Sequence, residues 1–312
     1  MKRNMLKAAL LGLSFSALLF TSCDKKEDDK TETPAPVLKS IYEVAKADTS
    51  FSILVAAIDK AGLKATLSGA GTFTVFAPNN NAFRAEEITI ELINSLTDSA
   101  DIQEMKEVLL YHVLGSIVKA SEVTNAYVPT LFTVGGNGVS LRTASNPVIL
   151  NNETKVIAAD IAASNGIIHV IDLLLYPQTV VDIAVNNPAF STLVEALTKA
   201  ELVAVLEGRE TSTVFAPTNT AFSDINFKLA DFTKEQLLPI LTSHALANNV
   251  RSSQINNGDK VTTLNPATQL TFNTTMGVKF NGGKVNDISV TTADIQATNG
   301  VVHVINKVVL PN

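Results

Sequence analysis

Four histidines are the side chains of this 312-residue chain best suited to acid–base or metal chemistry, and they fall into two pairs, His112 with His169 and His244 with His303. An imidazole can shuttle protons near neutrality or bind a transition metal through either ring nitrogen. A zinc centre needs three or four ligands, however, and the chain has a single cysteine, Cys23, and no His-Glu-x-x-His arrangement. His169 stands mid-strand between Ile167 and Ile171, and His112 closes an apolar helix. Each is therefore expected to hydrogen-bond a backbone group inside its own domain. There is no Gly-x-Ser-x-Gly, no phosphate loop and no dinucleotide fingerprint, and the carboxylates are too scattered to pair as glycosidase acid and nucleophile. Neither a catalytic constellation nor a metal or cofactor site is expected.

The elements that must hold these residues are written twice. Phe51–Phe83 aligns without a gap to Phe190–Phe222, with 20 of 33 positions identical, and "ADIAASNGIIHVI" from Ala159 returns as "ADIQATNGVVHVI" from Ala293. A duplicated unit near 135 residues is a whole domain rather than a solenoid repeat. Within each unit Phe51, Leu54, Val55 and Ile58, matched by Phe190, Leu193, Val194 and Leu197, recur at helical spacing. Asn187-Pro188 can open the second of these helices, and Thr233 lies three residues before Gln236, the spacing of a capping box. "DIQEMKEVLLYHVL" carries Ile102, Met105, Val108 and Leu109 as another helix face.

After His112 and His244 the composition turns to β-branched residues punctuated by Gly and Asn, as in "LFTVGGNGVSLRT", which predicts antiparallel hairpins. The fold class is α+β, with helices first and strands last. The shared phrases "TVFAPNNNAF" (Thr74–Phe83) and "TVFAPTNTAF" (Thr213–Phe222) read as a corner: a strand stopped by Pro78, then a short helix capped by Asn80 or Asn81.

These residues carry a resemblance. "FTVFAPNNNAF" and "STVFAPTNTAF" resemble the first signature box of the fasciclin domain, "NGIIHVIDLLLYP" and "NGVVHVINKVVLP" its second, and Tyr111-His112 the Tyr-His motif between them. The resemblance implies two tandem fasciclin-like domains, residues 37–177 and 178–312, each a β-wedge or sandwich flanked by helices. It also implies extracellular adhesion or ligand binding without catalysis. Its candidate contact residues are Tyr111, His112, Asp160, Ile161, His244, Asp294 and Ile295, the Asp-Ile pairs standing just ahead of the second box. The second copy departs at Ser243, where the motif has tyrosine. An accessory glycan-binding protein of a surface nutrient-uptake system is the alternative; Trp is absent, but Tyr and Asn can bind sugars.

The amino end sets the compartment. Lys2, Arg3 and Lys7 precede the apolar run Ala8–Phe20, too short to span a bilayer, so residues 1–22 read as a secretory signal. Phe20-Thr21-Ser22-Cys23 resembles a lipoprotein box with Cys23 as the lipid attachment site, and Asp24–Lys30 resembles the surface-export tag of Bacteroidetes-type bacteria. Residues 23–36 are charged, Thr-rich and Pro-bearing, the composition of a disordered tether. The expected location is the outer membrane, lipid-anchored and facing the exterior, with an extracellular protein or polysaccharide as partner. Without the signal, 21 Lys and Arg face 30 Asp and Glu, which argues against nucleic acid as a partner. "DSA" at Asp98–Ala100 fits either an O-glycosylation acceptor or a helix cap.

Overall fold

The computed structural model of the chain describes residues 38–208 and 211–311. The signal, Cys23 and the tether lie outside the described residues. From Leu38 onward the chain forms one compact unit in which the same arrangement occurs twice.

The first domain opens with helices α1 (Ile41–Ala47), α2 (Ser52–Lys60) and α3 (Lys64–Ser68), crosses as strand β1 (Phe73–Pro78), and returns to helix as α4 (Asn80–Ala85), α5 (Ile90–Ser95) and α6 (Ser99–Tyr111). Strands β2 (Val113–Leu114), β3 (Ala126–Val134), β4 (Asn137–Ala144), β5 (Ile149–Leu150), β6 (Thr154–Ala163) and β7 (Gly166–Ile171) complete it. The second domain repeats the order with one helix fewer after its first strand, as α7 (Val180–Val185), α8 (Ser191–Lys199), α9 (Val203–Glu207), β8 (Thr213–Pro217), α10 (Asn219–Ser223) and α11 (Lys234–Thr242). It ends in β9 (Ala245–Leu246), β10 (Lys260–Thr262), β11 (Gln269–Asn273), β12 (Lys279–Gly282), β13 (Val285–Ala297) and β14 (Gly300–Ile305). No helix among the described residues is long and apolar enough to cross a membrane.

Each domain is built on a seven-stranded sheet, ordered β2-β1-β7-β6-β5-β4-β3 and β10-β11-β12-β13-β14-β8-β9. The hairpin reading holds for most neighbours, but one interior pair of each sheet is parallel: β1 runs beside β7 from Phe73 opposite Gly166 to Pro78 opposite Ile171, and β8 runs likewise beside β14. Parallel neighbours require a long crossover, which the helices and hairpins between the two signature boxes supply. Strand β7 is buried at every position because it is covered on both faces. Ile168 and Val170 join Phe51, Leu54 and Ile58 under the helices, whereas Ile171 joins Phe76, Leu141 and Leu150 inside the wedge.

The repeated corner phrase differs in detail from the sequence expectation. Asn79 caps α4, accepting from Asn81 N–H and Ala82 N–H, and the second copy uses Thr218 in the same way. Asn80 instead reaches back to α2, whose first turn has no side-chain cap of its own. Its Oδ1 accepts from Ile53 N–H at 3.1 Å while its Nδ2 donates to the Thr49 carbonyl at 2.9 Å. Asn219 does the same for α8 through Thr192 N–H and the Pro188 carbonyl. An asparagine recurs there because one amide serves as donor and acceptor to two backbone groups of another element. Asp98 caps α6 by accepting from Ala100 N–H, so the helix-cap reading of that stretch describes its side chain here.

The domains are joined by polar contacts between named groups. Gln296 N–H donates to Ser140 Oγ at 3.0 Å, Asn187 Nδ2 donates to the Tyr127 hydroxyl at 3.0 Å, and the Tyr127 ring packs against the second domain's core.

Candidate functional site

The four histidines are the polar centre of each domain, and both ring nitrogens of each are taken by backbone. His112, at the end of α6, donates from Nδ1 to the Val108 carbonyl at 2.7 Å and accepts at Nε2 from Leu175 N–H at 3.0 Å. His244 repeats this with the Ile240 carbonyl at 2.8 Å and Val309 N–H at 2.8 Å. His169 and His303 use the opposite sense. Nδ1 accepts from Asp160 N–H or Asp294 N–H, each at 3.2 Å, and Nε2 donates to the Val118 or Val250 carbonyl at 2.9 and 2.8 Å. Phe76 and Phe215 of the two corner phrases stack on His169 and His303, with ring centroids 5.6 and 5.4 Å apart.

Burial lowers the imidazole of His112 to about 4, the helix carbonyl opposing only in part, and His244 is lowered to about 4 for the same reason. His303 is also lowered by burial, against the opposing pull of the Val250 carbonyl and Asp294. With both nitrogens committed and the rings buried, none of the four is placed to take a proton from a substrate. Among the described residues no group of three or more His, Cys, Asp or Glu is arranged to hold a metal ion.

The residues carried over from the resemblance divide by burial. Tyr111 is wholly buried; its hydroxyl donates to the Ser140 carbonyl at 2.9 Å and accepts from Asn151 Nδ2 at 3.1 Å, and burial raises its phenol. It braces β4 at the residue that meets Gln296 across the junction. Ser243 takes its place in the second copy, its hydroxyl donating to the Pro239 carbonyl at 2.7 Å and pairing with the Thr268 hydroxyl at 2.9 Å, with Asn265 closing the gap. Tyr111, His112 and His244 therefore present no side-chain surface to a partner, a correction to their reading as contacts.

The Asp-Ile pairs are structural as well. Asp160 and Asp294 sit at φ 59° and 63°, where their strands bulge and the pairing register shifts, and this conformation aims each amide at its histidine. The Asp160 carboxylate accepts from Ala120 N–H at 3.0 Å, starting a 3₁₀ turn. The Asp294 carboxylate accepts from both the amide and the hydroxyl of Ser252 and lies 3.9 Å from Arg251. Burial works to raise Asp294, but the Ser252 bonds, Arg251 and His303 outweigh it and hold the carboxyl below its ordinary range. Ile295 is buried, which corrects its reading as a contact, while Ile161 is partly buried against the first core; of the seven candidates only Asp160 keeps a largely open side chain, 45% exposed. Asp294→Ala is expected to cost about 2 kcal/mol and Asp160→Ala about 1 kcal/mol, as lost caps do, in urea midpoints at pH 7. Unchanged midpoints would return both residues to the pool of free surface contacts.

Sequence reasoning missed two clamps. Asn165 Oδ1 accepts from Ile41 N–H and its Nδ2 donates to the Leu67 and Gly69 carbonyls, with Asn299 doing likewise for Val180 and Leu206. Thr74 and Thr213 bind the loop after β2 or β9, each hydroxyl donating to a carbonyl 42 or 35 residues away, Ser116 or Asn248, and accepting from the amide of Val118 or Val250. The only available signal was that both copies repeat these residues.

Comparison with known proteins places these features in a family. The family model described as the fasciclin domain matches residues 49–177 and 188–311. Transforming growth factor-beta-induced protein ig-h3 of Sus scrofa is 29% identical over 231 residues, 73% of this chain and 32% of the relative. Protein sll1483 of Synechocystis sp. is 39% identical over 139 residues, 43% of this chain and 74% of the relative. Periostin of Homo sapiens is 31% identical over 169 residues, 53% of this chain and 19% of the relative. This chain thus spans about a third of the length of the pig relative. A solved FAS1 domain pair from the insect cell adhesion molecule Fasciclin I superposes with a TM-score of 0.47 at 19% identity, over 86% of this chain and 95% of that one.

Proposed function

Because the chain belongs to the fasciclin domain family, with two copies of the domain, we propose that it is a non-enzymatic protein that displays them outside the cell for adhesion or ligand binding. The observation that carries this reading is the commitment of all eight ring nitrogens of the histidines to backbone groups, which leaves surfaces rather than a reactive centre to do the work. In this proposal residues 1–22 are removed, Cys23 carries a lipid that holds the chain to the outer membrane, residues 23–36 form the tether, and the domains run over 37–177 and 178–312.

The test is to immobilise the mature chain and to measure, in parallel, attachment of cells and extracellular proteins, binding to a polysaccharide array, and release of wild type against Cys23→Ala from the native membrane. Attachment without a polysaccharide ligand, and loss of membrane retention in Cys23→Ala, are the expected results. A defined polysaccharide ligand in the absence of attachment would replace adhesion with the glycan-binding reading. Membrane retention unaffected by Cys23→Ala would remove the anchor.

A further inference from the structure

The first domain has a groove that its own twin lacks the residues to form. Between Phe83 and His112 the first copy spends 29 positions, whereas between Phe222 and His244 the second spends 22. The alignment holds through Ile88 and Phe227, whose amides bond the Phe83 and Phe222 carbonyls in the same way. Beyond it the second copy stacks Phe222, Phe227 and Phe232, with successive centroids 4.9 and 4.8 Å apart. The first copy inserts α5 instead, and the space between α5, α6 and the Leu174–Tyr176 segment is left as an open cleft of about 310 Å³.

The cleft's floor and walls are apolar, from Phe83, Ile88, Leu92, Leu96, Met105 and Leu174. Its polar lining includes the carboxylates of Asp101 and Glu104, one turn apart along α6, and the phenol of Tyr176. A second depression shares Glu104, Val108 and Tyr176 with it and adds Glu107. Lys60, on α2 beside α5, gives its ammonium to the Asn94 carbonyl at 3.2 Å. Leu92 and Tyr176 are each 48% exposed, so the groove opens to solvent past an aliphatic and an aromatic edge. A cleft of this size and lining is of the kind that holds a small molecule, with a few polar groups fixing its orientation.

We propose that this groove binds a small amphiphile whose apolar body lies against Phe83 and Met105 and whose cationic group, an ammonium, sits between Asp101, Glu104 and the face of Tyr176. The choice of a cation rests on charge: the titratable side chains lining the groove proper are, besides buried His112, two carboxylates and a phenol, and an ammonium also gains from the aromatic face. The groove lies wholly within the first domain, with no lining residue from the second.

The experiment is calorimetric titration of the purified protein with three probes of equal chain length, octyltrimethylammonium, octanol and octyl sulfate, below their micellar concentrations. One saturating site is expected, with the cation bound roughly tenfold more tightly than octanol, as two carboxylates at a water-exposed rim would provide. Asp101→Asn with Glu104→Gln should bring that ratio close to one while leaving octanol unchanged. Leu92→Lys, at a half-exposed position on the groove's edge and checked for folding by its thermal transition, should weaken the cation by a similar factor. Met105→Trp, checked for folding by its thermal transition, should fill the groove and remove binding of both. The proposal is overturned by an absence of saturable binding, by octyl sulfate binding as well as the cation, or by cation affinity that survives either the carboxylate or the Leu92 change.

Discussion

Unfolding of this protein at pH 4.5 is expected to require far less urea than at pH 7, by on the order of 5 kcal/mol, with His112 and His244 responsible. Their folded-state values lie near 4, below the ordinary imidazole value of 6.5, so the unfolded chain takes up protons first as the pH falls. The stability they contribute is complete above pH 6.5 and is lost progressively between 6.5 and 4, at about 1.4 kcal/mol per pH unit for each group in that window. His303 acts in the same direction. The depressed carboxyls, Glu43, Asp48, Glu91, Glu235 and Asp294, act only as the pH falls below the ordinary carboxylate range near 4, so the two windows separate. Chemical denaturation from pH 7.5 to 4.5, with uptake of about two protons per molecule on unfolding near pH 5, is the expected record. The His112 and His244 imidazole resonances of the folded protein should stay unprotonated through pH 5. A flat profile between pH 7 and 4.5 would show that these rings are not clamped as described.

Gly166→Ala and Gly300→Ala are each expected to cost about 3 kcal/mol or more, enough to unfold a marginal domain. Both glycines sit at the start of the last strand, at φ 155° and 158°, pressed against the neighbouring parallel strand. A methyl group there would lie 2.0 Å from the Phe73 carbonyl oxygen or 2.2 Å from that of Ser212, and backbone cannot move aside as a side-chain tip can. Gly115→Ala is the control: its nearest neighbour would be the tip of Leu131 at 3.4 Å, an ordinary contact, and a change within about 1 kcal/mol is expected. Thermal midpoints of the three variants decide the matter. Equal midpoints would mean that the parallel pair is not packed as closely as described.

The duplication, the helical spacing of Phe51, Leu54 and Ile58, and the capping box at Thr233 were legible because they are local or repeated signals. The pairing of β1 with β7 was not, since no local pattern says which of two buried strands will meet across an intervening stretch of helices and hairpins. The cap fell to Asn79 rather than to Asn80 or Asn81 for a similar reason. Either Asn79 or Asn80 can cap the helix that follows, and only the position of α2 makes Asn80 the better clamp. The Asp-Ile pairs entered as candidate contacts through the resemblance, because sequence does not reveal that Asp294 stands in a left-handed bulge with its carboxylate facing Ser252. The groove of the first domain was invisible for want of a partner: it arises from seven extra residues whose apolar side chains, read alone, are an ordinary helix face.

The side-by-side placement of β1 and β7 bears on how such a protein is made. As the chain is synthesised from its amino end the first box emerges long before the second, so β1 must wait, one edge unpaired, until nearly a hundred further residues have followed it. Each half can close only when its final segment arrives, which favours slow, all-or-none maturation and leaves prematurely terminated chains as sticky, protease-sensitive fragments rather than smaller working units.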